Sequence, residues 1–289
     1  MTPPAPEARA FAAAKVNLFL HVGPKAADGY HPIASLFVFA DIGDTLRLGE
    51  GASGWLTIEG PFGAGLSAGA DNLVARARAA LSPDLATDLV LEKSLPLAAG
   101  IGGGSADAAA TLRLLNPRLP QPRTEAELMA IAAALGADVA ACLESRAVIA
   151  TGRGEQLSPA PRLPDLHAVL ANPGVESPTG PVFRAYDAAR ARTSAECPAL
   201  PAVLATPADV ANLVDQTRND LEAPAVGLAP AIGAALAALR AAPEALVVRM
   251  SGSGATCFAL CGSADQAEAL AARLAAAHPP WWVRACRLA

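Results

Sequence analysis

The residues best able to do chemistry stand in four short segments. The first, Gly100–Asp107 (GIGGGSAD), has four glycines in five positions. Without Cβ atoms such a run folds tightly and can turn its N–H groups toward an anion. Ser105 is expected to cap the Ala-rich helix Ala106 to Leu115. Phosphate oxygens would then arrive at a helix N-terminus, where unpaired N–H groups and the dipole favour negative charge. No Gly-Lys-Ser/Thr follows, so this is not a P-loop, and Ser105 stands where a dinucleotide fingerprint needs its third glycine. A merely flexible turn is the alternative. The second segment (AKVNLFLHVGPKAADGYHPIASL) packs Lys15, Asn17, Tyr30 and His31 into 17 residues. On a strand, Lys15 and Asn17 face the same way. An ammonium and an amide side by side can hold a hydroxyl or a phosphate, although a solvated edge lysine would look alike. The third segment (LGADVAACLE) sets Asp138 in an acidic loop just after a helix stop at Gly136. That carboxylate could serve as a base or orient a substrate hydroxyl, or simply lie at the surface as a cap. No second carboxylate accompanies it, which disfavours the paired acids of glycosidases. The fourth segment, Ser251–Gly254 (SGSG), could bring its backbone to a phosphate or be a plain hairpin turn.

These segments need strands and helices to hold them. Apolar runs predict strands over 10–22, 31–40, 44–48, 55–59 and 89–93. The stretch 95–116 reads as strand, glycine loop and helix. Further helices are expected from Asp71, over 124–136, and around 180–191, 207–216 and 228–242. The end of the chain reads helix, strand (245–250), strand (256–261), helix (264–277), strand (281–287). That order suits an α+β layered fold. A Pro-rich stretch at Pro159–Pro164 marks a seam, with domains expected at 1–160 and 161–289.

Composition narrows the function class. The chain has 289 residues and a formal charge of −5. It has no basic runs, so nucleic acid is not an expected partner. The mean hydropathy is +0.33. The uncharged stretch Ala223–Leu239 is too alanine-rich and proline-broken to span a membrane. Residues 1–10 do not read as a leader. Five cysteines at 142, 197, 257, 261 and 286 show no metal spacing and are expected to be buried, reduced thiols in a cytoplasmic protein. Alanine accounts for 71 positions, whereas lysine has 3 and tyrosine 2. In a chain that has drifted so far toward alanine, the rare residue types are the places to look.

Taken together, Ala14–Leu18, Pro96–Ala106 and Ser251–Gly254 resemble the three ordered motifs of the GHMP kinases, named for galactokinase, homoserine kinase, mevalonate kinase and phosphomevalonate kinase. DGYHPIASLF, DIGDTL, DNLVARA, LGADVAACL and RMSGSGATCF extend the likeness over nearly the whole chain. The resemblance implies a two-domain α+β fold, with a ribosomal-protein-S5-domain-2-like N-terminal part and a ferredoxin-like C-terminal α/β sandwich. It implies ATP and Mg2+, and a small cytidine-diphosphate-linked substrate phosphorylated on the 2-hydroxyl of its methylerythritol, a step toward isoprenoid precursors. Asp138 would be the base and Lys15 its charged partner. Pro96, Leu97, Ala98, Ala99, Gly100, Ile101, Gly102, Gly103, Gly104, Ser105 and Ala106 would wrap the ATP phosphates. Asn72 and Lys93 would contact the adenosine, and Ser105 is a candidate magnesium ligand. Asn17, Tyr30, His31, Thr179 and Phe183 would take the substrate, with the aromatic rings stacking on cytosine. The chain departs from the family at Ala98, Ala99, Ala106 and Ala140, where alanine replaces glycine, serine or proline, and near Lys25 and Ala26, where arginine is usual. A homoserine- or mevalonate-type kinase and a non-catalytic ligand-binding member are the rival readings. A monomer and a homodimer are both open.

Overall fold

A computed structural model of the chain describes residues 8–189 and 194–289. In chain order it forms β1 (Arg9–Val22), β2 (Ile33–Leu48), β3 (Leu56–Glu59), α1 (Leu73–Leu81), β4 (Leu89–Glu92), α2 (Gly103–Leu115), α3 (Glu125–Leu135), α4 (Ala137–Glu144), β5 (Val148–Thr151) and β6 (Gln156–Pro159). Then come β7 (Leu166–Asn172), α5 (Thr179–Ala188), α6 (Pro207–Gln216), α7 (Glu222–Leu228), α8 (Pro230–Arg240), β8 (Ala245–Met250), β9 (Cys257–Cys261), α9 (Ala264–Ala277) and β10 (Trp282–Leu288). Residues 190–191 of the helix expected around 180–191, and 1–7 of the start read for a leader, lie outside the described residues.

Two compact units result, and they are not consecutive halves of the chain. The first takes residues up to Ala14, Ile42–Leu95 and Gly102–Ser145; the second takes Lys15–Asp41, Pro96–Ile101 and Arg146–Ala289. In the first, β3 pairs in parallel with β4, and the end of β2 pairs antiparallel with β4 from Thr45↔Glu92 to Leu48↔Leu89. Helices α1, α3 and α4 pack around α2. That helix is buried on nearly every side, from Ala106 through Leu112 and at Leu114 and Leu115. A helix buried on so many sides is interior, and alanine lets its neighbours come close. The alanine bias thus has a packing consequence here rather than being filler. A capping box between Thr124 and Glu127 starts α3.

The second unit carries the antiparallel strand order β2-β10-β7-β9-β8. Its last four strands, in chain order β7, β8, β9, β10, lie side by side as fourth, first, third, second. With the helical segment before β8 and with α9 before β10, this is the ferredoxin-like sandwich that the resemblance implied. Helices α8 and α9 cover the sheet, burying Ile232, Leu236 and Leu239 from one and Leu270 and Leu274 from the other.

Two local expectations fail. Residues 95–102 contain no strand, because this stretch spends its backbone groups on tertiary partners instead of a ladder. The helix expected over 228–242 does form, as α8, with Pro230 at its first position where a missing N–H costs no hydrogen bond; the short α7 before it was not expected. The acidic loop around Asp138 is helical: Gly136 ends α3 and at once starts α4, with Asp138 in its first turn. A carboxylate there is favoured by the helix dipole.

Because Ala109 in α2 is fully buried, Ala109→Leu should destabilise the protein by about 1–3 kcal/mol through overpacking. A urea-unfolding midpoint would measure it.

Candidate functional site

In the second unit, residues far apart in sequence interlock through hydrogen bonds. Lys15 and Asn17 sit on β1 at 4% and 2% exposure, so the solvated edge lysine is excluded. The Lys15 ammonium donates to Asn17 Oδ1 at 3.0 Å and stands 3.8 Å from the centre of the Phe37 ring. The Asn17 amide donates to Ser35 Oγ at 2.9 Å. The backbone N–H of Asn17 donates to Ser251 Oγ, and that hydroxyl donates to the carbonyl of Gly100 at 2.9 Å. The Lys15 N–H donates to the Ile101 carbonyl at 2.9 Å. Strand β1, residues 98–101 and the SGSG turn therefore form one hydrogen-bonded cluster.

That cluster leaves no room for side chains where two backbones meet. A Cβ on Gly100 would lie 2.5 Å from the Ser251 carbonyl oxygen and 2.7 Å from Gly254. Gly100 also has a φ of 71°, a left-handed conformation that glycine adopts without strain. Ala98 has a φ of 46°, so it carries a strain that a glycine there would not. The backbone N–H of Ser177 bonds the Ala98 carbonyl, and that of Thr256 bonds the Ala99 carbonyl. Ser177 Oγ donates to the Ser253 carbonyl at 2.6 Å, and the Thr179 and Ser253 hydroxyls are 3.1 Å apart. Thr179 is thereby tied to the turn.

The aromatic residues of this unit assemble as well. The His31 and Phe183 rings are 4.9 Å apart and tilted by 32°. His31 Nε2 is 2.7 Å from Asp187 Oδ1, and Tyr186 meets the imidazole edge-on. Tyr30 is 57% exposed, with the Arg153 guanidinium 4.4 Å above its ring. Arg153 also pairs with Asp28 at 3.0 Å. Sequence reading gave no role to Ser35, Ser177, Asp187 or Arg153, because none belongs to a local pattern; their partners are distant in the chain.

The first unit holds the start of α2, Asn72, Lys93 and Asp138. Gly102, at a φ of 66°, occupies the cap position of α2, and Ser105 lies inside the first turn rather than capping it. A left-handed glycine turns the chain directly into the helix, so no side-chain cap is used and the helix begins earlier than expected. Asn72 does cap a helix: its Oδ1 accepts from the Val74 N–H, while its amide donates to the Ser67 carbonyl. Lys93 is almost fully buried, its ammonium 2.5 Å from Asp44 Oδ2 and 2.9 Å from Asp107 Oδ2. Burial opposes its charge, yet the two carboxylates hold its pKa above the ordinary lysine range. The Asp107 carboxyl is pushed up to about 7, chiefly by burial, with Lys93 opposing and Asp44 adding to the rise. Asp44 and Asp107 were missed as site residues, although a buried lysine demands carboxylate partners.

Among the described residues no group of three or more His, Cys, Asp or Glu could hold a metal ion, and no helix is long and apolar enough to cross a membrane. All five cysteines are free. Four are buried as expected, but Cys197 is exposed, lying outside every helix and strand. Burial raises the thiols of Cys257, Cys261 and Cys286, which makes them poor nucleophiles.

Comparison with known proteins agrees across the chain. Residues 72–146 match the GHMP kinases N terminal domain, and 200–280 match GHMP kinases C terminal. A 4-diphosphocytidyl-2-C-methyl-D-erythritol kinase of Caulobacter vibrioides is 56% identical over 96% of this chain and 98% of its own length. The enzyme of that name from Dinoroseobacter shibae is 48% identical, over 94% and 92%. A crystal structure of 4-(cytidine 5'-diphospho)-2C-methyl-D-erythritol kinase superposes with a TM-score of 0.76 at 34% identity, covering 97% of this chain and 98% of that one. A homoserine kinase from Cytophaga hutchinsonii shares the fold, with a TM-score of 0.68 at 20% identity over 99% and 96%.

Two outcomes test this geometry. Ala98→Gly should stabilise the protein by about 0.5–1 kcal/mol, the relieved left-handed strain exceeding the added freedom of the unfolded chain. Denaturant unfolding of both proteins measures it. Asp107 has a folded pKa above its unfolded value, so between about pH 4 and 7 the folded state keeps a proton that the unfolded chain has lost. Its contribution to stability must therefore fall as pH rises through that window. Asp107→Asn should flatten that fall in melting curves at pH 4.5 and 7.5, relative to the unsubstituted protein.

Proposed function

The chain belongs to the 4-diphosphocytidyl-2-C-methyl-D-erythritol kinases among the GHMP kinases, and on that premise we propose how its own residues transfer a phosphoryl group. It is a small-molecule phosphotransferase. Its reaction moves the terminal phosphoryl group of ATP to the 2-hydroxyl of 4-diphosphocytidyl-2-C-methyl-D-erythritol and releases ADP, in the non-mevalonate route to isoprenoids. The observation that carries the reading is the cluster of Lys15, Asn17, Gly100 and Ser251, because it joins all three motifs of the resemblance through direct hydrogen bonds.

Phosphoryl transfer asks the protein for positioning and charge stabilisation more than for covalent chemistry. Residues Pro96–Ala106 hold the ATP phosphates, the N–H groups at the start of α2 facing them. Asn72 and Lys93 stand on the adenosine side. Since the Lys93 ammonium is held by two carboxylates and its backbone N–H and carbonyl by Glu59 and Phe62, Lys93 serves the nucleotide through its support of the loop. Asp138 accepts the proton of the 2-hydroxyl as the oxygen attacks the γ-phosphorus. Lys15, as its charged partner, draws charge from the moving phosphoryl group. Asn17 and Thr179 hold the acceptor end. Tyr30, His31 and Phe183 take the cytosine, a role supported by the close His31–Phe183 ring pair.

The residues present fit a magnesium ion that arrives with the nucleotide. Such an ion would be held largely by phosphate oxygens and waters, as is usual for magnesium. The Ser105 hydroxyl, in the first turn of α2, is the protein group placed to add to it. Bound there, the ion would neutralise phosphate charge. We also assign residues 1–160 and 161–289 to N- and C-terminal kinase domains, which the family matches on either side of residue 160 support. The free, mostly buried cysteines support a cytoplasmic setting.

Purified protein should release ADP when given ATP and the cytidine-diphosphate-linked methylerythritol. Turnover on homoserine or mevalonate with none on that substrate would overturn the assignment. Asp138→Asn should lower turnover by at least about 100-fold, the scale of general-base catalysis, while ATP still binds in calorimetry. Full activity in that variant would remove Asp138 from the mechanism.

A further inference from the structure

Three elements of the first unit meet at one buried ammonium. Asp44 comes from the end of β2, Lys93 directly follows β4, and Asp107 lies in the second turn of α2. All three are at most 2% exposed. Asp44 uses both oxygens: Oδ2 faces Lys93 at 2.5 Å, and Oδ1 accepts the backbone N–H groups of Ser94 and Leu95 at 2.6 and 2.9 Å. Asp107 Oδ2 accepts from the ammonium at 2.9 Å, while its buried Oδ1 has no hydrogen-bond partner. Directly above lies Gly103, the first residue of α2. A Cβ there would stand 3.4 Å from Lys93 Nζ and 3.6 Å from Asp44 Oδ2. The helix start thus rests on the ion cluster with only a glycine between.

A buried ionic cluster is a poor source of stability, since well-packed apolar side chains of similar size would serve as well or better. One side chain here is also a lysine, a residue the chain otherwise almost lacks, with 3 in 289. The cluster fixes geometry instead. It pins the chain at Ser94 and Leu95, just before Pro96, and it pins α2 just after Gly102. The N–H groups of Gly103, Gly104 and Ser105 are those that an α-helix leaves without an internal partner. Their reach toward an anion depends on where the helix start is held.

We propose that Asp44, Lys93 and Asp107 form a positioning triad for the donor nucleotide, setting the place of Gly103–Ser105 so that their N–H groups meet an ATP phosphate. This rests on the reading of the chain as an ATP-dependent kinase. With both carboxylates ionised the triad carries one net negative charge, which by itself would repel the phosphates. Its service to ATP is therefore geometric, and that makes the two obvious substitutions at Asp107 diverge. Asp107→Asn keeps volume and an acceptor for the ammonium while removing the charge. Asp107→Ala removes the charge and the contact together.

Binding of the non-hydrolysable analogue adenylyl imidodiphosphate, with magnesium, is measured by calorimetry, and steady-state kinetics give KM for each substrate. In Asp107→Ala the analogue should bind about tenfold more weakly, a loss of ~1.4 kcal/mol, with KM for the cytidine substrate unchanged. Asp107→Asn should bind it as tightly as the unsubstituted protein or more tightly. Equal affinity in all three proteins, with only the melting temperature of Asp107→Ala lowered, would overturn the triad as a positioning device. So would equal weakening in both variants, or a parallel rise in KM for the cytidine substrate. If Asp107→Ala does not fold, Lys93→Arg takes its place. It keeps the charge but adds bulk beneath Gly103, so analogue binding should weaken and unchanged affinity would overturn the proposal. Failure of the unsubstituted protein to bind the analogue would overturn the kinase reading itself, and the triad with it.

Discussion

The second unit depends on the approach of two backbones, one at Gly100 and the other at Ser251–Gly254. The carbonyl of Gly100 accepts from the Ser251 hydroxyl, and a side chain at Gly100 would overlap the facing main chain. Steric exclusion enforces this at every temperature and ionic strength, unlike a surface ion pair. The polar residues Lys15, Asn17, Ser177 and Thr179 are referenced to that contact. Ser251 also receives the Asn17 N–H, which places β1 and with it Lys15. Ser253 engages Ser177 and Thr179 on the far side of the turn. The glycines are therefore structural before they are functional: they let hydroxyls and main-chain groups from distant parts of the chain share one small volume.

The first unit answers the same need by a different means. Where the second unit brings backbones together by omitting side chains, the first inserts a charged one beneath a glycine. The Lys93 ammonium holds Asp44 and Asp107 within hydrogen-bond distance of itself, and the helix start rests above it. The surrounding α2 is built of alanines packed on all sides. Small side chains give a helix that its neighbours can grip closely, so a displacement at the ion cluster has little slack to absorb it.

Much of the fold could be read from local signals. The alternation of helix and strand over the final residues pointed to an α+β sandwich, because strand length, glycine turns and capping residues are set within a few positions; the ferredoxin-like order was implied by the family resemblance alone. Errors arose where tertiary contact outweighed local preference. Residues 95–102 have the apolar character of a strand but give their carbonyls to Ser177, Thr256 and β1. Asp138 looked like a loop residue because Gly136 reads as a stop, whereas the glycine serves as the end of one helix and the start of the next. Ser105 looked like a cap because serine favours that place, but a left-handed Gly102 made the cap unnecessary.

By itself the sequence determined which residue types survived in a chain drifting toward alanine, and at what spacing. That was enough to mark Lys15, Asn17, the glycine loop and the SGSG turn, since spacing along a strand or a loop fixes which side chains share a face, while Lys93 was marked by the family resemblance. It could not say what those residues touch. Whether Lys93 reaches a nucleotide or a pair of carboxylates, whether Asn17 holds a ligand or Ser35, and which backbone Gly100 must admit are decided by contacts between positions tens to hundreds of residues apart. Such contacts exist only once the core has closed and removed water from around the polar groups, because only then does an unpaired ammonium or amide become costly enough to dictate its partner.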